Sequence, residues 1–156
     1  MPSTILGLPV HPLLVHATVV FVPLAVLLVI LAVLVPRFRA WAGPLPAVIS
    51  LVALILTPLS TASGENLEHS LPETALIEKH AELGDQLLPL TIALFVFATA
   101  FWWLTRSPSA AARWPRALVL AVGALAVAAS VGTAVQVARI GHSGAEAAWS
   151  DTGSSR

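Results

Sequence analysis

Four apolar stretches constrain this chain more than anything else in it: Leu13 to Val35, Leu45 to Ala62, Leu87 to Thr105 and Ala117 to Ala138. Each is long enough to cross a hydrocarbon core of ~30 Å at ~1.5 Å per residue. A segment in lipid must satisfy its own backbone, and none of the four alternates like a barrel strand, so each is expected to be a helix. With 57% hydrophobic and 10% charged residues, the chain has too little polar surface for a soluble domain. The expected fold is all-α, an integral membrane up-down four-helix bundle. It forms one domain over residues 1–149, with a flexible tail over 150–156.

Charge separates the two ends of this bundle. Arg37 and Arg39 lie in the first loop and Arg106, Arg113 and Arg116 in the third, with no acid in either. By the positive-inside rule these loops are cytoplasmic, which puts both termini and the second loop outside a bacterial inner membrane. Trp41, Trp102, Trp103 and Trp114 stand near the same interface, where amphipathic rings are favoured. All five histidines and all eight acidic residues fall at the opposite end. Nothing basic precedes the first apolar run, so it reads as a retained span and not as a cleaved leader. The lack of cysteine removes disulfides, thiolate metal sites, cysteine-ligated iron–sulfur clusters and covalent c-type haem.

Within the chain, Ser70 followed by Pro72 and Glu73 predicts a helix start ahead of the third span. Run unbroken from Pro72 to Thr105, that helix would be roughly 50 Å long. Pro23, Pro58 and Pro89 fall inside apolar runs and are expected to bend them. Ala124, Ala128 and Gly132 form a small-residue face on the fourth span, suited to internal packing or to a homodimer, with internal packing preferred. Gly43 and Gly64 read as loop positions, and no internal repeat is evident.

Ionisable groups near bilayer depth are costly and persist where they pair, line water or bind something. His16 lies about one turn into the first span, on a face shared with Leu13, Val20, Pro23 and Leu24. His11, five residues earlier, points roughly 140° away on an ideal helix, so it either caps the helix and folds back or has a separate role. In an up-down bundle the first and third helices are diagonal and parallel, so His16 and His80 are expected to face each other, with His142 arriving on the fourth helix. Gly84, Gly141 and Gly144 beside these histidines leave space for a flat ligand, and Arg139 can pair with a propionate. That pattern suits b-type haem held by imidazole. A transition-metal version of the site would use His11, His16, Glu65, His80 and His142. Glu78 and Glu82 beside His80, and Glu65 four residues before His69, offer further N/O ligands, while His69, Glu68, Glu73 and Asp85, with Lys79, read as a solvated loop.

The opening Leu8-Pro9-Val10-His11-Pro12-Leu13-Leu14-Val15-His16, the Gly64-Glu65 pair, the segment Glu78-Lys79-His80-Ala81-Glu82-Leu83-Gly84 and the closing Gly141-His142-Ser143-Gly144-Ala145 together resemble a bacterial family of small four-span membrane proteins, domain of unknown function 2231. The resemblance covers most of the chain. It implies that His11, His16, Glu65, His80 and His142 occupy the family's motif positions, and it brings no activity. Ala17 and Thr18 stand where the family pattern has an aromatic after the second histidine.

The functional expectation is a membrane b-type haem protein for electron transfer, with a redox partner protein or a quinone and the site at the outer face. A metal-ion (copper, zinc or iron) handling protein and a cofactor-free structural or assembly subunit are the alternatives. No nucleophile with its base, no phosphate-binding loop and no basic nucleic-acid surface is present in the sequence, which argues against hydrolysis, nucleotide chemistry and nucleic-acid binding.

Overall fold

A computed structural model describes residues 4–5, 8–69 and 74–149. A two-residue antiparallel pairing, β1 (Thr4–Ile5) with β2 (Leu8–Pro9), precedes the helices. The helices are α1 (Val10–Leu34), α2 (Pro36–Ala42), α3 (Leu45–Glu68), α4 (Ala75–Asp85), α5 (Leu87–Thr105), α6 (Pro108–Ala111) and α7 (Arg116–Trp149). α1, α3, the α4–α5 pair and α7 are each long and apolar enough to cross a membrane. They close a ring in which α1 packs on α3, α3 on α5, α5 on α7 and α7 on α1, leaving α1 and α5 on a diagonal. This is the expected all-α, up-down membrane bundle. The tail from residue 150 and the Ser70–Glu73 start signal lie outside the described residues.

The helix ends follow local chemistry. Val35 leaves the helical region at φ −118°, and Pro36 opens α2 where a missing N–H costs nothing. Gly43, at φ +54°, ends α2 in a conformation that side chains resist. Thr74 caps α4, its hydroxyl accepting from the Ile77 amide at 3.3 Å. The third span does not run unbroken as expected, because the helix lapses at Gln86. Pro89 explains the break: it has no N–H for the Asp85 carbonyl one turn back, and its ring crowds that carbonyl.

The core is narrow and made of small side chains. Val22, Ala25, Val26 and Val29 of α1 meet Ala53 of α3, Leu94 and Ala98 of α5 and Ala126 of α7. Buried hydroxyls bond back to their own helices, as in Ser50 to the Pro46 carbonyl, Thr57 to Ala53 and Ser130 to Ala126. These bonds meet the donors within each helix, and among the described residues Thr99 Oγ1 alone is buried without a partner. The inward small-residue stripe of α7 is Gly123, Ala126, Ser130 and Thr133. It lies on the opposite side of the helix from the expected Ala124, Ala128, Gly132 face, whose two alanines face outward while Gly132 touches Leu90.

Candidate functional site

Two histidines are held in matching ways at the acid-bearing end. α1 begins at Val10, three residues ahead of the expected span, so His11 is helical and not a folded-back cap. Its imidazole crosses to α3, where Nδ1 lies 3.0 Å from Ser63 Oγ and 3.2 Å from the Ser60 carbonyl oxygen. On α4, His80 reaches α7, where Nδ1 lies 3.0 Å from Ser143 Oγ. Ser63 and Ser143 are both buried.

Proton counting gives the direction of the His11 bond. The Ser60 carbonyl, 3.2 Å from His11 Nδ1, can only accept, so this nitrogen carries the proton, and the Ser63 hydroxyl donates to the same carbonyl at 2.8 Å. His80 Nδ1 donates in the same way when the Ser143 hydroxyl keeps its bond to the Ile140 carbonyl at 3.0 Å. In the neutral imidazole this leaves the Nε2 lone pair free. A ring oriented through Nδ1–H with Nε2 available is the arrangement that metal-ligating histidines use.

The glycine after each serine completes the seat. A Cβ at Gly64 would stand 3.1 Å from His11 Cε1, and one at Gly144 would stand 2.9 Å from His80 Cε1. Both rings thus press on a neighbouring helix backbone, at positions where any side chain would crowd them. His80 also stands near enough for its charge to act on the His11 ring. Gly64, Gly141 and Gly144 are helical and not loop glycines, because α3 continues to Glu68 and α7 to Trp149.

The remaining expected residues lie elsewhere. His16 does not face His80 across the bundle. It is exposed on the lipid-facing side of α1, with Nδ1 bonded to the Pro12 carbonyl. His142 also points outward, its side chain 77% exposed, with Nε2 3.2 Å from Glu146 Oε1. Glu146 is bound again by Lys79 at 3.6 Å, an exposed pair that joins α4 to α7. Glu65 and His69 are exposed at the end of α3. Gly84 has only Thr61 Cγ2 near it, at 3.9 Å, and Gly141 has open space. Arg139 donates to Gln136 Oε1 at 3.3 Å.

Gln136 was seen in the sequence only as a polar residue inside a span. Its side-chain amide donates to the Leu83 carbonyl at 2.7 Å and approaches Gln86 Oε1 at 3.5 Å. It therefore ties α7 to the chain around the break at Gln86, below His80. The positioning residues Ser63 and Ser143 carried no signal beyond the Ser-Gly dipeptide that each begins.

A family model described as a predicted membrane protein, domain of unknown function 2231, matches residues 7–155. The chain belongs to this family. Neither a curated protein nor a solved structure matches it. For this family member, both the His-Pro-x-x-x-His opening and the Gly-His-Ser-Gly element contribute to the histidine seats. Each does so through one residue pair: His11 with the Ser63-Gly64 seat on α3, and Ser143-Gly144 as the seat for His80. Among the described residues no three histidine, cysteine or carboxylate side chains converge as a metal-ion site.

Proposed function

We propose that the chain is a membrane haem protein in which His11 and His80 supply the two axial nitrogens, and that it serves one-electron transfer. One observation carries this reading: both rings bond a neighbouring helix through Nδ1, which leaves two Nε2 atoms at the same end of the bundle. Donor number separates haem from a bare ion. Zinc or nonhaem iron asks for three or four protein ligands, whereas a porphyrin supplies four nitrogens and needs only two more. The haem would supply the redox couple. The chain's own residues orient the imidazoles, hold their tautomers and keep side chains off the ring edges at Gly64 and Gly144. His16 and His142 are released from the expected ligand set because they point away from this pair.

The arginine-only loops at the other end support an inner-membrane orientation with the histidine pair outside.

The second reading, a structural subunit, is favoured by the same bonds seen differently. Each histidine–serine bond joins two helices, α1 to α3 and α4 to α7, and such bonds pin membrane bundles. A reduced-minus-oxidised visible spectrum of the detergent-purified chain, produced with ample haem precursor, separates the readings. Near-stoichiometric haem bands lost in both His11→Ala and His80→Ala, and kept in His16→Ala and His142→Ala, support the proposal. A folded protein without haem overturns it. In that case bound copper, zinc or iron on elemental analysis selects a metal-ion role, and an empty protein selects the structural one.

A further inference from the structure

We infer that the chain is two copies of one two-span unit, and that the histidine site consists of two equivalent half-sites related by a pseudo-two-fold axis along the bundle. An offset of 69 residues carries His11 to His80, and with it five of the seven buried positions of the first span onto buried positions of the third. Thr18 maps to Leu87, Val22 to Thr91, Ala25 to Leu94, Val29 to Ala98 and Ala32 to Phe101, and all of these are buried. Residues at the two members of each pair differ in kind, so what the copies share is position and not composition.

The second and fourth spans correspond at an offset of 80. Pro46 maps to Ala126, Ser50 to Ser130, Ala53 to Thr133 and Ser63 to Ser143, again all buried. The hydrogen bonds map as well: Ser50 Oγ donates to the Pro46 carbonyl at 2.7 Å, and Ser130 Oγ donates to the Ala126 carbonyl at 2.7 Å. Gly64 maps to Gly144, and each lies under a histidine ring. The two offsets differ by 11 residues, and the extra length lies between the matched stretches, where α5 ends later and α7 begins earlier than their counterparts α1 and α3.

The packing closes under the same operation. α1 packs on α3 as α5 packs on α7, and α3 packs on α5 as α7 packs on α1. A parallel repeat of this kind has its axis along the membrane normal. His11 and His80 are then partners across that axis, each seated on the serine and glycine of its own copy. A ligand bound between them meets two equivalent nitrogens. That is what a metal centre with two opposed open positions offers, and what an asymmetric organic substrate does not. One difference accompanies the helix break that α1 lacks: Gln136, which serves it, stands where the first copy has Leu56.

The ligand part of this inference rests on the haem reading, and the duplication does not. The cysteine-free chain allows paired spin labels at Leu27→Cys with Val135→Cys, and at Val96→Cys with Ile55→Cys, four exposed positions that the axis exchanges pair for pair. Pulsed electron–electron distance measurements are expected to give coincident distributions for the two pairs. Clearly different mean distances overturn the duplication, whether or not haem is present. If haem is bound, His11→Gly and His80→Gly are expected to give the same five-coordinate spectrum, each returned to six-coordinate by added imidazole. Retention of the parent spectrum in one of the two overturns the equivalence of the half-sites. A symmetric distance result with no haem in any preparation keeps the duplication and rejects the ligand.

Discussion

Gly144 and His80 meet across α7 and α4 so closely that a β-carbon on the glycine would lie 2.9 Å from the ring Cε1. Gly144→Ala must therefore shift the imidazole or part the helices. Overpacking of this kind costs about 1–3 kcal/mol. Thermal unfolding in detergent is expected to show a lower midpoint, together with loss of whatever the histidine pair binds. An unchanged midpoint and unchanged ligand content would show that the ring does not rest on the α7 backbone.

Three other glycines should sort by the space around them. A Cβ at Gly123 meets Phe101 at 3.1 Å and Val33 at 3.4 Å, whereas at Gly132 the nearest atom is Leu90 Cδ2 at 3.5 Å and at Gly141 there is none within 4 Å. Alanine is better than glycine inside a helix by roughly 1 kcal/mol. Gly141→Ala is expected to raise the unfolding midpoint, Gly132→Ala to leave it unchanged or raise it slightly, and Gly123→Ala to lower it. Any other order in one melting series contradicts this packing.

Gln136 is 4% exposed and gives its amide to the Leu83 carbonyl. Gln136→Leu leaves that carbonyl without this donor and frees the Arg139 guanidinium from its acceptor. The penalty for an unmet buried polar group is about 1–3 kcal/mol. Hydrogen exchange is expected to rise at the α4–α5 junction before it rises at the bundle core.

Lys79 and Glu146 form an exposed pair at 3.6 Å. Exposed pairs of this sort contribute between nothing and about 1 kcal/mol. Lys79→Ala is expected to leave the melting midpoint within error at physiological salt. A large loss would mean that α4 is docked mainly by this charge and not by His80 and Gln136.

The four spans, their order and the separation of acid from arginine were legible in the sequence because hydropathy summed over some twenty residues tolerates errors of a turn at either end. Direction around each helix was not legible. His16 was grouped with Leu13, Val20, Pro23 and Leu24, and those residues do share a face with it, but that face looks outward. Lipid is as apolar as a protein core, so a leucine stripe says nothing about which side is inside. The inward faces of α3 and α7 are marked by small and hydroxyl residues such as Ser50, Thr57, Ser130 and Thr133. His11 was misplaced for a simpler reason: starting the helix at Val10 instead of Leu13 turns a cap into a helical side chain aimed at α3. The repeat escaped notice because most of its matched positions carry different residues, as in Ala25 and Leu94, and only their burial agrees.

α7 runs unbroken from Arg116 to Trp149. Counting from Arg116, Ser143 stands about 40 Å up the helix at ~1.5 Å per residue, while the hydrocarbon core is only ~30 Å deep. On α1, His11 lies about 35 Å from Leu34 by the same measure. With Arg116 and Leu34 at one edge of that core, both seats stand at its far edge, level with the headgroups. From there a solute of the aqueous phase would reach them without crossing the hydrocarbon, whereas one dissolved among the acyl chains would have to rise to their rim.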